Sequence, residues 1–384
     1  MSYPLRKVEY QNYNMRYEHF EHVRAVKKKP KKRKKSFIAL LFSLVLLGLY
    51  GYYICPYNYN HYLRPLFINR ILNKNLTFDA KDYMAPGIQY LHNSNFLGEN
   101  LRVDKQLKSK EIADIQIVNE MTQTKQKLLE MFKNYPTLEP SVFVWEYSTG
   151  SGFEINSDKV FPSASIIKIP IAFELMRLID SRAKTPSPIS LSDKRTFSEF
   201  FRTSGSGQLQ KTRANVDYTL DYLANIMIAN SDNSATNMIL YEIGGIDSFN
   251  RAMRNLGLKT ISMGQWLPDL EGTNKITARE ISKVLYNIDN PNYINPKYKA
   301  VLKEYLGNTR NIHLIKEKLP PDVMVLHKTG DIGTMLGDSG IVYTNNGKKY
   351  LVTILVKRPH NAYSARTLIQ DASKLIFEDV KNLP

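Results

Sequence analysis

The most apolar stretch of the chain lies near its beginning. Residues 37–55 read FIALLFSLVLLGLYGYYIC and contain no charged side chain. A helix of this length is about as long as the hydrocarbon core of a bilayer is thick. The pattern therefore predicts one N-terminal transmembrane helix, and the alternative is a buried core helix.

A basic segment precedes this stretch. Residues 1–36 contain twelve Lys and Arg and three Glu, so they carry +9 of the net charge of +17. Because Lys and Arg concentrate on the cytoplasmic side of membrane helices, we expect residues 1–36 to be a cytoplasmic tail and the rest to be exported. The tail's position beside an apolar span explains its charge, so no nucleic-acid partner is expected. No small-x-small cleavage site follows the span, which favours an uncleaved anchor over a signal peptide.

The region after the anchor is less informative. Residues 56–110 are polar and only weakly periodic, with a possible short helix at Leu66–Asn73. They are interpreted as an extracytoplasmic stalk or linker. The alternative is an ordered extension that packs on the main domain, which we expect to span residues 111–384.

Periodicity is clearer in residues 111–384. Apolar residues recur at helical spacing from Glu111 to Phe132, which predicts an amphipathic helix. Residues 142–147 and 153–156 flank a glycine-containing turn and predict a β-hairpin. The segment from about 165 to 308 is predicted to be mainly helical.

The end of the chain predicts a second hairpin and a closing helix. The apolar runs at 340–344 and 350–356 flank Asn345-Asn346-Gly347, a strong turn signal. Ala365–Val380 has helical periodicity. Strands near both ends of this region, around a helical block, imply an antiparallel sheet with helices packed on it, an α/β (α+β) fold.

Composition and cysteine content exclude several classes of protein and of functional site. With 43% hydrophobic and 23% charged residues, the chain is globular and is neither a disordered polymer nor a multi-span membrane protein. Its single cysteine, Cys55, excludes an internal disulfide framework and a thiolate metal cluster. No HExxH pattern, paired cysteines or phosphate-binding loop is present, so no metal and no cofactor are expected.

The first chemical motif is Ser165-Ile166-Ile167-Lys168, which begins an apolar helical run. At a helix N-terminus, the macrodipole and free N–H groups favour negative charge that develops near Ser165. Lys168 lies three residues later, on the same helix face. A buried lysine with a lowered pKa can accept the serine's proton, whereas a capping serine with a surface lysine is the ordinary alternative.

Two more motifs follow in order. Ser231-Asp232-Asn233 comes after a predicted helix at Tyr218–Ala229, where Ser231 can relay a proton and Asn233 can bind a substrate amide. Lys328-Thr329-Gly330 ends a predicted edge strand that faces the serine, and it offers a cation, a hydroxyl and room for close approach. Each motif alone is better explained by a polar turn or a strand end. Together they indicate a serine nucleophile that forms an acyl-enzyme.

Over about residues 111–384 the chain resembles the penicillin-binding-protein and serine β-lactamase superfamily, and class A β-lactamases most closely. The resemblance extends to MIANSDNSATN at 227–237 and to Leu319-Pro320 before the Lys-Thr-Gly strand. It implies a β-lactamase/transpeptidase-like fold, with an all-α subdomain beside the sheet and the site between them. The implied nucleophile is Ser165, with Lys168 as general base, Ser231 as proton relay, Asn233, Lys328, Thr329 and Gly330 as substrate binders, and the Ser165 and Asp331 N–H groups as oxyanion hole.

The chain departs from class A enzymes in the omega loop. Their R-x-E-x-x-L-N pattern carries a glutamate that activates water, and the matching stretch here is Gln265–Glu271. Leu267 takes the glutamate's place and Glu271 the asparagine's. The chain resembles a known class-A-like DD-peptidase group that has leucine at the glutamate's place. Leucine cannot activate water, and general-base catalysis contributes about 10²–10⁴-fold in rate, so a long-lived β-lactam acyl-enzyme is expected. Asp269 or Glu271 acting as a displaced base is the alternative.

Asp331 is a second departure, because it adds negative charge directly after Lys-Thr-Gly and predicts weaker carboxylate recognition. The sequence thus favours a penicillin-binding DD-peptidase at the bacterial cell membrane, acting on D-Ala-D-Ala stem peptides of peptidoglycan. The alternatives are a class A-type β-lactamase that hydrolyses β-lactams and an acyl-stable β-lactam receptor that signals through its tail.

Overall fold

The computed structural model describes residues 111–183, 185–289 and 293–384. The strands are β1 Asn119–Glu120, β2 Glu139–Glu146, β3 Ser151–Ile155, β4 Phe161–Pro162, β5 Lys194–Phe197, β6 Val216–Thr219, β7 Lys275–Ile276, β8 Met324–Asp331, β9 Met335–Tyr343 and β10 Lys349–Lys357. The α-helices are α1 Thr122–Lys133, α2 Lys168–Arg182, α3 Leu220–Ala229, α4 Asn233–Glu242, α5 Gly245–Asn255, α6 Ala278–Asp289, α7 Pro296–Gly307 and α8 Ser364–Lys381.

The predicted tail, anchor and stalk, including the short helix at Leu66–Asn73, lie outside the described residues. Among the residues that are described, no helix has both the length and the apolar character needed to cross a membrane.

The main sheet joins the early and late parts of the domain. Its six strands lie in the order β1-β3-β2-β10-β9-β8, and all pairs are antiparallel except β1 with β3. In the centre, Val144 of β2 pairs with Val352 of β10. Both predicted hairpins and the predicted antiparallel sheet are confirmed. The order leaves β8, which carries Lys328-Thr329-Gly330, at an edge.

Helices cover both faces of the sheet. Side chains of β10 alternate between the two sides, as the period of a strand requires. Val352 and Ile354 pack with Phe377 of α8 and Leu128 of α1, whereas Leu351 and Leu355 join the core formed with the helical half. Because both faces are buried, β10 is a nearly continuous apolar run in the sequence.

The helical half is built around α2, which is almost entirely buried and contacts α3, α4, α6 and α7. The predicted helical middle is interrupted by the β5–β6 hairpin and by irregular chain between α5 and β7. The site lies where the first turn of α2 meets β8 of the sheet.

The predicted helix at Glu111–Phe132 is wrong in its first half, because α1 begins only at Thr122. The preceding backbone is hydrogen-bonded to distant segments instead: Ile112 N–H donates to the Leu256 carbonyl, and Ala113 N–H donates to the Asn287 side chain. Ile112 and Ile115 are buried in this extended form, so the apolar spacing is satisfied without a helix.

The packing of α8 gives a prediction about stability. Phe377 is 1% exposed and lies in the core between α8 and the sheet. We expect Phe377→Ala to lower the free energy of unfolding by about 3–5 kcal/mol, since it removes a buried ring and leaves a cavity. Urea denaturation of the full chain measures this. The exposed Lys374→Ala change on the same helix is the control, and an equal loss in both variants would contradict the packing described here.

Candidate active site

Ser165 lies in a tight turn that leads into α2. A short 3₁₀ helix, Ala164–Ile167, precedes Lys168, the first residue of α2. Ala164 has a positive φ of 44°, and Ser163 N–H donates to the Asn274 carbonyl at 2.8 Å. This backbone places Ser165 at the helix N-terminus, as the sequence predicted, with its side chain only half-buried.

Lys168 is the centre of the hydrogen-bond network. Its side chain is fully buried, and its Nζ lies within hydrogen-bond distance of Ser165 Oγ at 3.0 Å, Ser231 Oγ at 3.1 Å, the Ser231 carbonyl at 2.8 Å and Asn233 Oδ1 at 2.9 Å. The structure thus brings the first two motifs into direct contact through one lysine nitrogen. The sequence placed Lys168 on the serine's face of the helix, but it gave no information on the acceptors from Ser231 and Asn233.

The second motif forms the link between α3 and α4. Ser231 has a positive φ of 56°, a conformation that a non-glycine residue adopts only when its surroundings impose it. Asp232 caps α4 by accepting from Ala235 N–H at 2.9 Å, and it also accepts from Leu209 N–H at 2.8 Å. These contacts hold the link so that both the carbonyl and the hydroxyl of Ser231 reach Lys168.

Asn233 makes two hydrogen bonds within the protein. Its Oδ1 accepts from Lys168 and its Nδ2 donates to the Ser204 carbonyl at 3.0 Å, and the residue is 7% exposed. These two bonds use one of the two Nδ2 hydrogens, and binding of a substrate amide by Asn233 stays a prediction. Asn233 positions Lys168 and the loop that carries Ser204.

Strand β8 brings the third motif against the serine. A Cβ on Gly330 would lie 3.1 Å from Ser165 N and 3.0 Å from Ala164 Cβ, so the strand approaches this turn as closely as glycine allows. Lys328 is buried, and its Nζ donates to the Thr329 carbonyl at 2.8 Å. The predicted orientation of the edge strand toward Ser165 is confirmed.

A buried pair of side chains, His327 and Asp338, links β8 to the neighbouring strand β9. His327 Nδ1 lies 2.9 Å from each carboxylate oxygen of Asp338 on β9, and Asp338 also accepts from Ile315 N–H at 3.1 Å. The sequence placed His327 on a strand but gave no partner for it. The register of β8 with β9 pairs His327 with Gly340, so Asp338, two residues before Gly340, is a diagonal neighbour of His327 on the same face of the sheet.

Burial sets the protonation of the two lysines. Desolvation lowers the pKa of Lys168 well below its usual range, the positive charge of Lys328 lowers it further, and Asp232 opposes both effects. Burial also lowers the pKa of Lys328, to about 8, while Asp338 acts to raise it. Lys168 is therefore suited to exist as a neutral amine and Lys328 as a cation near neutral pH.

Asp331 follows the motif at the mouth of the cleft. It is half-exposed, and its Oδ1 accepts from Gly333 N–H at 2.9 Å and from Arg358 Nη2 at 2.5 Å. Arg358 is otherwise buried, and it also donates to the Gly333 carbonyl at 2.9 Å. The negative charge of Asp331 is therefore partly neutralised by Arg358, which lies 27 residues later in the chain.

The omega loop lies one turn of α4 beyond the Lys168 contact. Asn237, four residues after Asn233, accepts from Leu267 N–H at 3.1 Å and donates to the Leu267 carbonyl at 2.8 Å. Thr203 Oγ1 also donates to that carbonyl, at 3.0 Å. Leu267 is 6% exposed and precedes a cis peptide bond to Pro268.

The two acids of the loop differ in their surroundings. Asp269 is 3% exposed and accepts from Gln265 Nε2, Thr273 N and Oγ1, and Asn274 N at 2.7–3.1 Å. The Asp269 carboxylate thus joins Gln265, Thr273 and Asn274 of the loop through hydrogen bonds. Glu271 is exposed, and no side-chain hydrogen bond holds it to any residue of the described part.

A cleft of about 340 Å³ runs along this network. Ser165, Ser231, Lys328, Thr329 and Asp331 line it, together with the Ser206–Gln208 loop and the Thr309–Asn311 turn. Within residues 111–183, 185–289 and 293–384, no group of three His, Cys, Asp or Glu side chains is placed to hold a metal ion.

The site combines a serine at a helix N-terminus, a buried lysine on the next helical turn and a Lys-Thr-Gly edge strand. This combination defines a serine hydrolase with an α/β β-lactamase/transpeptidase-like fold. The chain belongs to the beta-lactamase enzyme family, whose sequence model matches residues 123–380.

The chain is similar to several β-lactamases and to solved structures of a protein described as PBP-A. The β-lactamase of Streptomyces albus G is 26% identical over 250 residues, which cover 61% of this chain and 78% of that protein. β-Lactamase 3 of Bacillus cereus is 25% identical over 62% of this chain and 76% of its own length. The structure described as PBP-A is 28% identical, with a TM-score of 0.66 over 71% of this chain and all of its own. A second PBP-A structure is a leucine-to-glutamate mutant, described as an acyl-enzyme complex with penicillin G, at 27% identity and the same TM-score and coverage.

Proposed function

We propose that this protein is a penicillin-binding DD-peptidase that acts on D-Ala-D-Ala stem peptides of peptidoglycan. The observation that carries the proposal is Leu267, whose backbone is fixed to α4 one turn beyond the residue that contacts Lys168. An aliphatic side chain there cannot act as a general base, so it does not support rapid hydrolysis of a β-lactam ester, whereas acylation of Ser165 does not require it.

Acylation follows from the distances in the network. Neutral Lys168 Nζ accepts the proton of Ser165 Oγ across 3.0 Å, and Oγ attacks the carbonyl carbon of the scissile amide. As the C–N bond breaks, Ser231 Oγ gives its proton to the leaving nitrogen, and Lys168 returns a proton to Ser231 across 3.1 Å. We assign the oxyanion hole to the N–H groups of Ser165 and Asp331, because β8 passes against this turn at Gly330.

Recognition of the substrate carboxylate is assigned to Lys328 and Thr329. Both line the cleft, and Lys328 provides a buried cation whose attraction for an anion is weakly screened. Asp331 weakens this attraction less than its charge alone implies, because Arg358 pairs with it.

The anchor completes the proposal. An uncharged span at 37–55 behind a basic tail supports a single-pass location in a bacterial cell membrane, with residues 111–384 on the outer side, where peptidoglycan lies.

A class A-type β-lactamase is the second candidate, and the names of the curated relatives favour it. It requires a substitute base for deacylation. Asp269 is a poor one because four donors already surround its carboxylate, which leaves Glu271 as the base this alternative needs.

The proposal predicts stable labelling together with peptide turnover. We expect the full chain to retain a fluorescent penicillin on Ser165 while it releases D-alanine from a D-Ala-D-Ala peptide, and Ser165→Ala to do neither. Gel fluorescence and a D-amino-acid assay measure the two activities. Rapid loss of label would favour the β-lactamase, and stable label without peptide turnover would favour the receptor.

The role of Leu267 predicts a gain of function. Leu267→Glu should shorten the lifetime of the penicilloyl-enzyme by about 10²-fold, because it supplies a general base where Asn237 already fixes the backbone. The decay of label after removal of free penicillin measures this rate. Leu267→Gln is the control, since it has the same length and no basic carboxylate. Equal lifetimes in both variants would contradict this role.

The two lysines predict the pH dependence of acylation. The rate should rise as Lys168 loses its proton, at a pH well below the usual lysine range, and should fall above about pH 8 as Lys328 loses its own. Labelling rates between pH 5 and 10 test this. In Lys328→Arg the charge persists at high pH, so the falling limb should move to higher pH. An unchanged falling limb would exclude Lys328 as its cause.

A further inference from the structure

A second cavity adjoins the cleft on the side of Ser231. It has a volume of about 430 Å³ and shares Ala229, Asn230 and Arg310 with the cleft. Its other lining residues are Tyr222, Asn225 and Ile226 of α3 and Asn308. The two cavities therefore lie side by side at the end of α3, and Ala229, Asn230 and Arg310 line both.

Polar groups dominate the second cavity, and Arg310 is its one charged residue among those described. Arg310 is exposed, and its guanidinium has no hydrogen bond or ion pair with any side chain in the described ranges. The amide of Asn230 is likewise without a described partner. An uncommitted guanidinium beside carboxamides suits a peptide that carries a carboxylate.

The backbone fixes the position of Arg310. Its N–H donates to the Ala229 carbonyl at 3.1 Å, and the neighbouring Thr309 hydroxyl donates to the His327 carbonyl at 2.5 Å. On the other side, Asn308 Nδ2 lies 3.5 Å from Asn225 Oδ1. The turn is therefore held between β8 and α3, so the base of the guanidinium side chain is positioned before any ligand arrives.

The proposed mechanism indicates which part of the substrate would reach the second cavity. Ser231 is the proton donor to the leaving nitrogen in the proposed mechanism, so the leaving group lies on its side of the cleft. Ala229 and Asn230, which directly precede Ser231, form the wall shared with the second cavity. A leaving group longer than one amino acid would extend into this cavity.

Resting on the proposed function, we infer that this second cavity binds the leaving-group side of the substrate, and that Arg310 binds a carboxylate beyond the first leaving residue. The substrate class is a peptide extended past the scissile D-Ala-D-Ala bond and ending in a carboxylate. Because the leaving amine and an acceptor amine pass through the same transition state in opposite directions, the cavity is also where a carboxylate-bearing acceptor peptide binds.

Three peptides with the same diacetyl-L-lysyl-D-alanyl acyl part test this inference. Their leaving groups are D-alanine, D-alanyl-glycine and D-alanyl-glycinamide, and each competes with a fluorescent penicillin for Ser165 of the full chain. We expect the D-alanyl-glycine peptide to compete about tenfold better than its amide, the effect of one charge-assisted hydrogen bond. Arg310→Gln should reduce this ratio to about one, and Arg310→Lys should restore part of it.

Arg254→Gln is the matched control, because Arg254 is an exposed arginine of α5 that lines neither cavity. It should keep the full preference for the carboxylate. Equal competition by carboxylate and amide in the unmodified chain, or a preference that survives Arg310→Gln, would overturn the inference. Absence of penicillin labelling would instead overturn the proposed function. Calorimetric titration of Ser165→Ala with the same peptides would then still decide whether the cavity selects a carboxylate.

Discussion

The arrangement of the site depends on one constraint, the burial of the Lys168 amine without a paired carboxylate. Removing an ammonium from water costs several kcal/mol unless polar groups replace the lost hydration, and burial otherwise favours the neutral amine. Here four oxygens from Ser165, Ser231 and Asn233 surround the nitrogen, and Asp232 is the nearby acid. The same contacts that make burial tolerable place the amine within proton-transfer distance of two hydroxyls.

Meeting this constraint requires parts of the chain that are far apart in sequence. Ser231 reaches Lys168 only because its backbone adopts a positive φ, a conformation that typically costs about 1–3 kcal/mol. The caps and loop contacts of Asp232 hold that conformation in place. Lys328 then closes the site from β8, and its charge further disfavours a proton on Lys168. The sheet and the helical half are thus coupled electrostatically as well as by packing.

The sequence predicted the parts of this arrangement that depend on local pattern. Ser165 and Lys168 share one helical turn, the edge strand shows as an apolar run before Lys328, and the hairpin at Asn345-Asn346-Gly347 carries its own turn signal. Contacts between residues far apart in the chain have no comparable pattern in the local sequence. Nothing local shows that Arg358 pairs with Asp331 or that His327 faces Asp338.

A wrong helix boundary and an unforeseen side-chain contact share the same physical cause. Ile112 and Ile115 have helical spacing, but backbone hydrogen bonds to Leu256 and to the Asn287 side chain hold that segment extended. Asn233 has the chemistry to bind a substrate amide, and the sequence did not show that its side chain also bonds to Lys168 and to the Ser204 carbonyl. In both cases a residue satisfied its own preference through a tertiary partner that no short window of sequence contains.

The two halves of the proposed reaction rest on different kinds of structure. Attack by Ser165 depends on a buried network in which each member is held by several others, so a change in one residue disturbs many contacts. In the proposed function, the slow hydrolysis of a penicilloyl-enzyme is attributed to the side chain of Leu267, and the backbone hydrogen bonds of its loop to Asn237 and Thr203 do not involve that side chain. Substitution there can change the lifetime of the acyl-enzyme while the loop and the nucleophile keep their places. On this proposal, a substitution at position 267 would separate retention of penicillin from its release without a change of fold.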